Sequence, residues 1–350
     1  MSDPRPAGHL PANHPPVKPP RIGVLLANLG TPDGYDYWPM RRYLSEFLSD
    51  KRVVDVPDWK WQPILQGVIL SFRPQKSGAN YKKIWNHAAN ESPLLTITKA
   101  QTAALATALG DLYGDAVMVD FCMRYGKPST ASKVSAIGAG GCTKILFFPL
   151  YPQFAGATSA TANEAFFAAL KPFPRPPAVR TVPDYFDHPA YVAALAGSVR
   201  RAWDASPVKP EKLIASYHGM PVRYLMQGDP YHCQCQKTTR LLREALGWDN
   251  GAIDTTFQSI FGREEWLKPY TVNHVADLAR QGIKRIAVIS PAFSADCIET
   301  LEEIDGEIRE AFLHAGGQAF TYIPCLNDEA AHVDALVQVI EANLAGWLPA

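Results

Sequence analysis

Residues 212–221 read KLIASYHGMP, and residues 21–32 read RIGVLLANLGTP. Each is a short apolar run that reaches a glycine and then a proline two positions later, where a strand can no longer donate to its ladder. RYL (223–225) follows the first and RRYL (41–44) the second. Two further pairs recur in the same order. VDFCMRYG (119–126) matches TTFQSIFG (255–262), glycine on glycine, and KILFFPLYPQFAGATSAT (144–161) matches RIAVISPAFSADCIET (285–300). Three ordered pairs imply two halves of like topology; the alternative is chance likeness between ordinary βα units. Under this pairing His218 takes the place of Leu29, and the two face each other across a cleft at strand carboxyl ends, where α/β proteins place ligands.

Between the apolar runs lie helix-like stretches such as TANEAFFAAL (161–170), AYVAALAGSVRRAW (190–203) and QKTTRLLREALG (236–247). Strands rich in Val, Ile and Leu that alternate with helices predict an α/β fold: two similar Rossmann-like halves, each a parallel sheet flanked by helices. A chain of 350 residues exceeds what one core usually supports, roughly 250–300 residues. The expected division is a Pro-rich disordered tail over 1–20, one half over 21–183, a second over 184–329, and a C-terminal helix over 330–350 packing back on the first half. Thirty-four basic and 34 acidic residues leave no net charge, which argues against nucleic acid as a partner. No run reaches 18 apolar residues, and six cysteines show no CxxC pair, so a reducing, cytoplasmic location is expected.

Phosphate-cradling GxxxxGK[ST], dinucleotide GxGxxG, GxSxG and HExxH are all missing, which argues against ATPase, dehydrogenase, serine hydrolase and zincin activities. Two stretches remain. One is His218 on its strand end. The other is FSADCIETLEEIDGEIRE (293–310), where Ser294 reads as an N-cap and the helix as starting near Asp296. Glu299, Glu303, Glu307 and Glu310 then share a face. A solvated acidic surface accounts for Glu307 and Glu310 but poorly for Glu299, which sits among Cys297, Ile298 and Leu301. HCQC (232–235) has a metal-like look but lacks a second ligand pair. In the long insertion of the first half, WKWQPILQGVILSF (59–72) places Trp61, Ile64, Leu65, Val68, Ile69 and Phe72 at helical spacing. This predicts a core-facing helix, with a lip over a flat apolar ligand or a membrane surface as the other reading.

SYHGMP with GDPY, FQSIFGREEWLKPY, PAFSADCIETLEEID, LLANLGTP and FCMRYGKP together resemble the ferrochelatase family over residues 21 to 345. The resemblance implies insertion of ferrous iron into protoporphyrin IX in a cleft between two Rossmann-like halves. It implies that His218 and Glu299 are catalytic and touch the metal, with Asp296 and Glu303 as acidic partners. It further implies that Leu29, Arg124, Tyr125, Tyr151, Trp266 and Phe293 line the porphyrin cleft. Iron is then substrate, no cofactor is tightly bound, and a [2Fe–2S] cluster is not expected, because the cysteine-bearing C-terminal extension of animal relatives is missing. Peripheral membrane contact and handover from the protoporphyrinogen-oxidising enzyme are possible partnerships. Cys297 stands where some relatives carry a second histidine.

Metallation removes two pyrrole protons and strips water from Fe²⁺, and a distorted ring resembles the transition state more than a flat one does. Neutral imidazole, with an unperturbed pKa of about 6.5, suits the proton acceptor, and imidazole with carboxylate is an acceptable ferrous ligand set. Three alternatives stay open: coproporphyrin as substrate, a cobalt or nickel chelatase acting on a sirohydrochlorin-type ring, and a non-enzymatic haem or porphyrin carrier.

Overall fold

The computed structural model describes residue 13 and residues 18–262 and 264–348; most of the expected tail lies outside the described residues. Eight strands form two four-stranded parallel sheets. In chain order the first holds β1 (Arg21–Thr31), β2 (Val117–Gly126), β3 (Cys142–Pro149) and β4 (Ala178–Thr181). The second holds β5 (Lys212–His218), β6 (Ile253–Gln258), β7 (Arg285–Ile289) and β8 (Ala319–Tyr322). The spatial orders are β2-β1-β3-β4 and β6-β5-β7-β8, so the second sheet repeats the first. Helices cover both faces, and the central strands are almost wholly buried: Val24, Leu25, Leu26, Leu213, Ile214 and Ala215 have no accessible surface. Full burial of each larger aliphatic side chain stabilises the fold by roughly 1.5–3 kcal/mol.

One face of each sheet has its own cluster: Leu25, Ile145, Phe147 and Phe166 on the first, Ile214, Val288, Ile304 and Phe312 on the second. The other faces share a single cluster, which runs from Val24, Leu26 and Phe148 through Tyr217, Ala287 and Ile289. Leu336 and Ile340 of the helix Ala330–Leu344 lie inside it. That helix is also tied to the first sheet's side, where Arg180 donates to the Asn343 and Ala345 carbonyls and Tyr113 to Glu341.

The repeat differs from the expected glycine-on-glycine match by two residues. Asn28 lies opposite Met123 and Gly30 opposite Tyr125, whereas His218 lies opposite Gln258. Met123 N–H donates to the Pro128 carbonyl at 2.8 Å, and Phe257 N–H to the Pro269 carbonyl at 2.9 Å; both prolines follow cis peptide bonds. Arg124 and Tyr125 are therefore matched by Gln258 and Ser259. The cause is local: β2 runs on to Gly126 (φ 80°), while Ser259 turns left-handed (φ 61°) and ends β6 early. The extra residues before Pro269 then form a loop that carries Trp266. Strand β4 escaped the sequence reading because AVRT is four residues long, partly exposed and apolar only at its start.

Two other expectations need correction. The segment 59–72 is not one core-facing helix. It comprises the helix Asp58–Ile64, a π-helical turn Leu65–Ile69 and the start of the helix Leu70–Ile84, with Pro63 and Pro74 inside the helices. Trp61 and Leu65 are buried, but Ile64, Val68 and Phe72 form a second row at i, i+4 that is 48%, 57% and 75% exposed. The acidic helix starts at Glu299 rather than near Asp296, and it is π-helical over Glu299–Ile308. Ser294 does not cap it; its hydroxyl and carbonyl accept from Gln101 of the first half.

Candidate active site

β5 delivers His218 to the lip of the second sheet. Its Nδ1 lies 2.7 Å from the Gly219 carbonyl. A carbonyl can only accept, so Nδ1 carries the hydrogen, and in the neutral ring Nε2 is the nitrogen with the lone pair. Gly219 N–H donates to the Gln258 carbonyl at 2.7 Å. A Cβ on Gly219 would lie 2.6 Å from that oxygen and 3.2 Å from the Trp266 ring, so this close approach needs glycine. Residues 220–222 pair antiparallel with 265–267, which sets Trp266 against Gly219, the residue after His218.

The π-helix brings the carboxylates. Ser259 N–H donates to Glu303 Oε1 at 2.7 Å, and Ser259 Oγ–H donates to Oε2. Gln258 Nε2 donates to the Glu299 carbonyl at 2.8 Å and to Glu303 Oε2 at 3.3 Å. Burial is the largest influence on the Glu303 carboxyl and pushes its pKa up. The Ser259 donors, and a positive charge on His218 when its ring is protonated, pull it down, Glu299 adds to the push, and the balance lies above the ordinary carboxyl value. Glu307 and Glu310 are exposed beyond it. Lys83 reaches from the first half to the buried Glu302 at 2.7 Å, close enough to feel Glu307 and Glu310 as well.

Asp296 is spent differently. Its carboxylate accepts from Thr300, Tyr322, Asn327 and the Cys325 N–H, which fixes the entry to the π-helix. It makes no contact with the other glutamates' hydrogen-bond network.

The first half supplies the facing wall. Leu29 packs with Tyr35 and Phe47 on a cluster built from Met40, Tyr43, Tyr81, Trp85 and Tyr125, and Ile298 of the second half joins it. Burial raises the Tyr43 and Tyr81 phenols, and the negative charge of Glu299 adds to it in both, so Glu299 faces this wall. The buried Tyr151 hydroxyl and Trp266 Nε1 have no hydrogen-bond partner among the described residues. Phe293 packs with Leu94 and Cys297. The Arg124 guanidinium is occupied by Asp50 and Thr161.

Four residues were missed from sequence. Asp50 is a hub that accepts from Arg124, Thr161, the Tyr125 hydroxyl at 2.8 Å and the Arg52 N–H at 2.8 Å. Burial alone would raise it, but these hydrogen bonds and the Arg124 charge hold it below the usual carboxylate value. Arg73, lowered by burial, lies with its guanidinium 4.9 Å from the centre of the Phe261 ring across the lip. Gln258 and Ser259 were in a quoted motif, but the glycine alignment hid their place. HCQC is spread along the helix Tyr231–Leu246, with Cys235 buried, Cys233 exposed and His232 stacked on Phe257. No group of three or more His, Cys, Asp or Glu able to hold a metal ion occurs among the described residues.

Two matching parallel sheets with a histidine on one strand end, set against an acidic π-helix, define a chelatase fold. SirB from Bacillus subtilis with Fe³⁺ superimposes with a TM-score of 0.53 at 12% identity, covering 94% of this chain and 98% of that one. The sirohydrochlorin chelatase SirB in complex with cobalt gives 0.51 at 9% identity. Sequence narrows this to one family: the ferrochelatase model matches residues 21–344. The Rhodobacter capsulatus ferrochelatase is 65% identical over 341 residues, 97% of each chain, and the Agrobacterium fabrum ferrochelatase 55% identical over 339 residues. The chain belongs to the ferrochelatase family.

Proposed function

We propose that this chain inserts ferrous iron into protoporphyrin IX, forming protohaem and releasing two protons. The observation that carries the assignment of roles is the His218 tautomer. With Nδ1–H anchored on Gly219, Nε2 offers a lone pair to a pyrrole N–H. A proton taken there passes to Glu303, whose raised pKa suits it to receive one, and then outward to the exposed Glu307 and Glu310. Glu299, between the tyrosine wall and Glu303, would meet the incoming Fe²⁺, joined by His218 once Nε2 has passed its proton on. The two N–H nitrogens of the ring exchange their protons for bonds to iron, and the other two bind it through their lone pairs. Asp296 drops out of the proton path and serves as a structural anchor. Leu29, Tyr125, Tyr151, Trp266 and Phe293 bound the ring; Arg73, its guanidinium over the Phe261 ring, suits a ring propionate. Residues 21–183 and 184–329 act as the two jaws, closed from behind by the helix Ala330–Leu344. Iron enters as substrate, and we assign no resident cofactor or cluster.

No helix of the described residues is long and apolar enough to cross a membrane. The exposed row Ile64, Val68 and Phe72, with Trp59 at 75% exposure and Phe261 nearby, supports peripheral contact with a bilayer and delivery of an apolar porphyrin from that side. The test is absorbance-monitored metallation with Fe²⁺ or Zn²⁺ on protoporphyrin and coproporphyrin in parallel. Turnover on protoporphyrin is expected. Stoichiometric binding without turnover would restore the carrier reading, and a preference for coproporphyrin would move the substrate.

A further inference from the structure

The tip of β6 links the two catalytic elements, and the chemistry of the link is unusual. Ser259 is one of three non-glycine residues with positive φ among the described residues, at 61°. A serine held left-handed is disfavoured relative to glycine, and such conformations persist where surrounding structure imposes them, often at functional sites. Here the turn aims both donors of one residue at one carboxylate: its N–H at Glu303 Oε1 and its Oγ–H at Oε2. Glycine would supply the backbone more easily but only the first donor.

Gln258 is 2% exposed and equally constrained. Its Oε1 accepts from Ser216 Oγ at 2.7 Å, which turns its Nε2 towards the π-helix, onto the Glu299 carbonyl and Glu303 Oε2. Its own carbonyl holds the Gly219 N–H next to His218, its partner in register. The matching dipeptide of the first half, Arg124–Tyr125, also grips one carboxylate, Asp50.

We propose that Gln258 and Ser259 are positioning residues that fix the Glu303 carboxylate and the first turn of the π-helix relative to His218. This rests on the proton route above, and it deepens that route by naming what holds its second member in place. Neither residue is placed in contact with the porphyrin or the iron.

Ser259→Gly, Ser259→Asn and Ser259→Gly in a Glu303→Gln background separate positioning from backbone strain. Glycine relieves the left-handed strain, so a purely structural residue would give unchanged or improved turnover. Positioning predicts that Ser259→Gly folds at least as stably yet loses about tenfold in kcat, the effect of one hydrogen bond to a charged group. The KM for porphyrin stays within about twofold, because the lost contact is not to substrate. Asn tolerates positive φ and brings a donor, so it restores part of the loss. In the Glu303→Gln background the glycine substitution adds less than about twofold, since both act through one carboxylate. Undiminished kcat in Ser259→Gly, or full additivity with Glu303→Gln, overturns the proposal. A crystal structure of Ser259→Gly decides it independently of activity: a displaced or multiply placed Glu303 carboxylate supports it, and an unmoved one sinks it. Wild-type protein that metallates no porphyrin would instead overturn the proposed function.

Discussion

Arg124–Tyr125 and Gln258–Ser259 occupy the same place in two copies of one architecture, and each dipeptide holds a carboxylate. The carboxylates are driven in opposite directions. Asp50, buried but served by Thr161, Arg52 N–H, Tyr125 and the Arg124 cation, lies below its usual value. Glu303 is buried with the Ser259 donors and any His218 charge pulling its pKa down, but burial and Glu299 outweigh them, and it lies above. A fuller set of donors, Thr161 foremost and the Arg124 charge adding least, separates a carboxyl held below its usual value from one that burial leaves above it. The strand ends repeat the theme: Leu29 and His218 match, and only the second has a side chain able to take up or release a proton. The two sheets repeat one scaffold, and the proposed reactivity lies on one side of it.

The largest test of that asymmetry is His218→Ala against Leu29→Ala. Loss of the proton acceptor is expected to lower kcat about 100-fold or more, as general-base catalysis contributes about 10²–10⁴. Leu29→Ala should change kcat by about threefold or less while raising the porphyrin KM, since it removes apolar contact alone. Equal losses in kcat would erase the distinction between the halves.

A second test sets the carboxylates against each other. Asp50→Asn leaves the half-buried Arg124 without its counter-charge and is expected to cost about 3 kcal/mol in denaturant unfolding. Glu303→Gln should do the reverse. A carboxyl whose folded pKa exceeds the unfolded value stabilises the fold below the unfolded pKa, about 4.3, and that contribution is lost as pH rises. At pH 7 the glutamine variant, free of that penalty, should melt no lower than the parent, and below about pH 4 the two should converge. A clear fall in melting temperature at neutral pH would refute this.

The third effect lies away from the site, at the seam between halves. His332 is fully buried at the start of the C-terminal helix; burial lowers its pKa to about 4, and the Asn327 carbonyl on Nδ1 only partly opposes this. A folded pKa below the unfolded value makes stability present above pH 6.5 and lost as pH falls through 4, by about 3 kcal/mol at full loss. His332→Gln should flatten the stability curve over that window, measured by urea unfolding at a series of pH values. A parallel slope in both proteins would show that other groups carry the acid sensitivity.

Much of this was legible in the sequence. The paired apolar runs ending in Gly and Pro gave six of eight strands and the doubling, because parallel strands must be apolar on both faces. β8 and β4 have no counterpart among those pairs, and β4 was too short and mixed to register. His218 stood out because a histidine on a glycine-ended strand is chemically conspicuous. Asp50 did not, since nothing in FLSDKRV says that three distant donors will converge on its carboxylate. Ser259 was hidden by a different cause: aligning Gly126 with Gly262 assumed equal strand lengths, and backbone handedness at one serine broke that assumption. Spacing also could not distinguish an α-helix from a π-helix over 299–308, as acidic residues four apart fall on adjoining surfaces in either.

The cluster shared by the two sheets has a mechanical meaning. With Phe148, Tyr217 and Ile340 in one continuous packed mass, the lobes have no soft seam about which to swing. Rigid-body opening of the lobes is thereby disfavoured, and a flat ring entering between them would meet walls that yield little. Deformation of the guest replaces deformation of the host, and heating should melt both lobes in a single step.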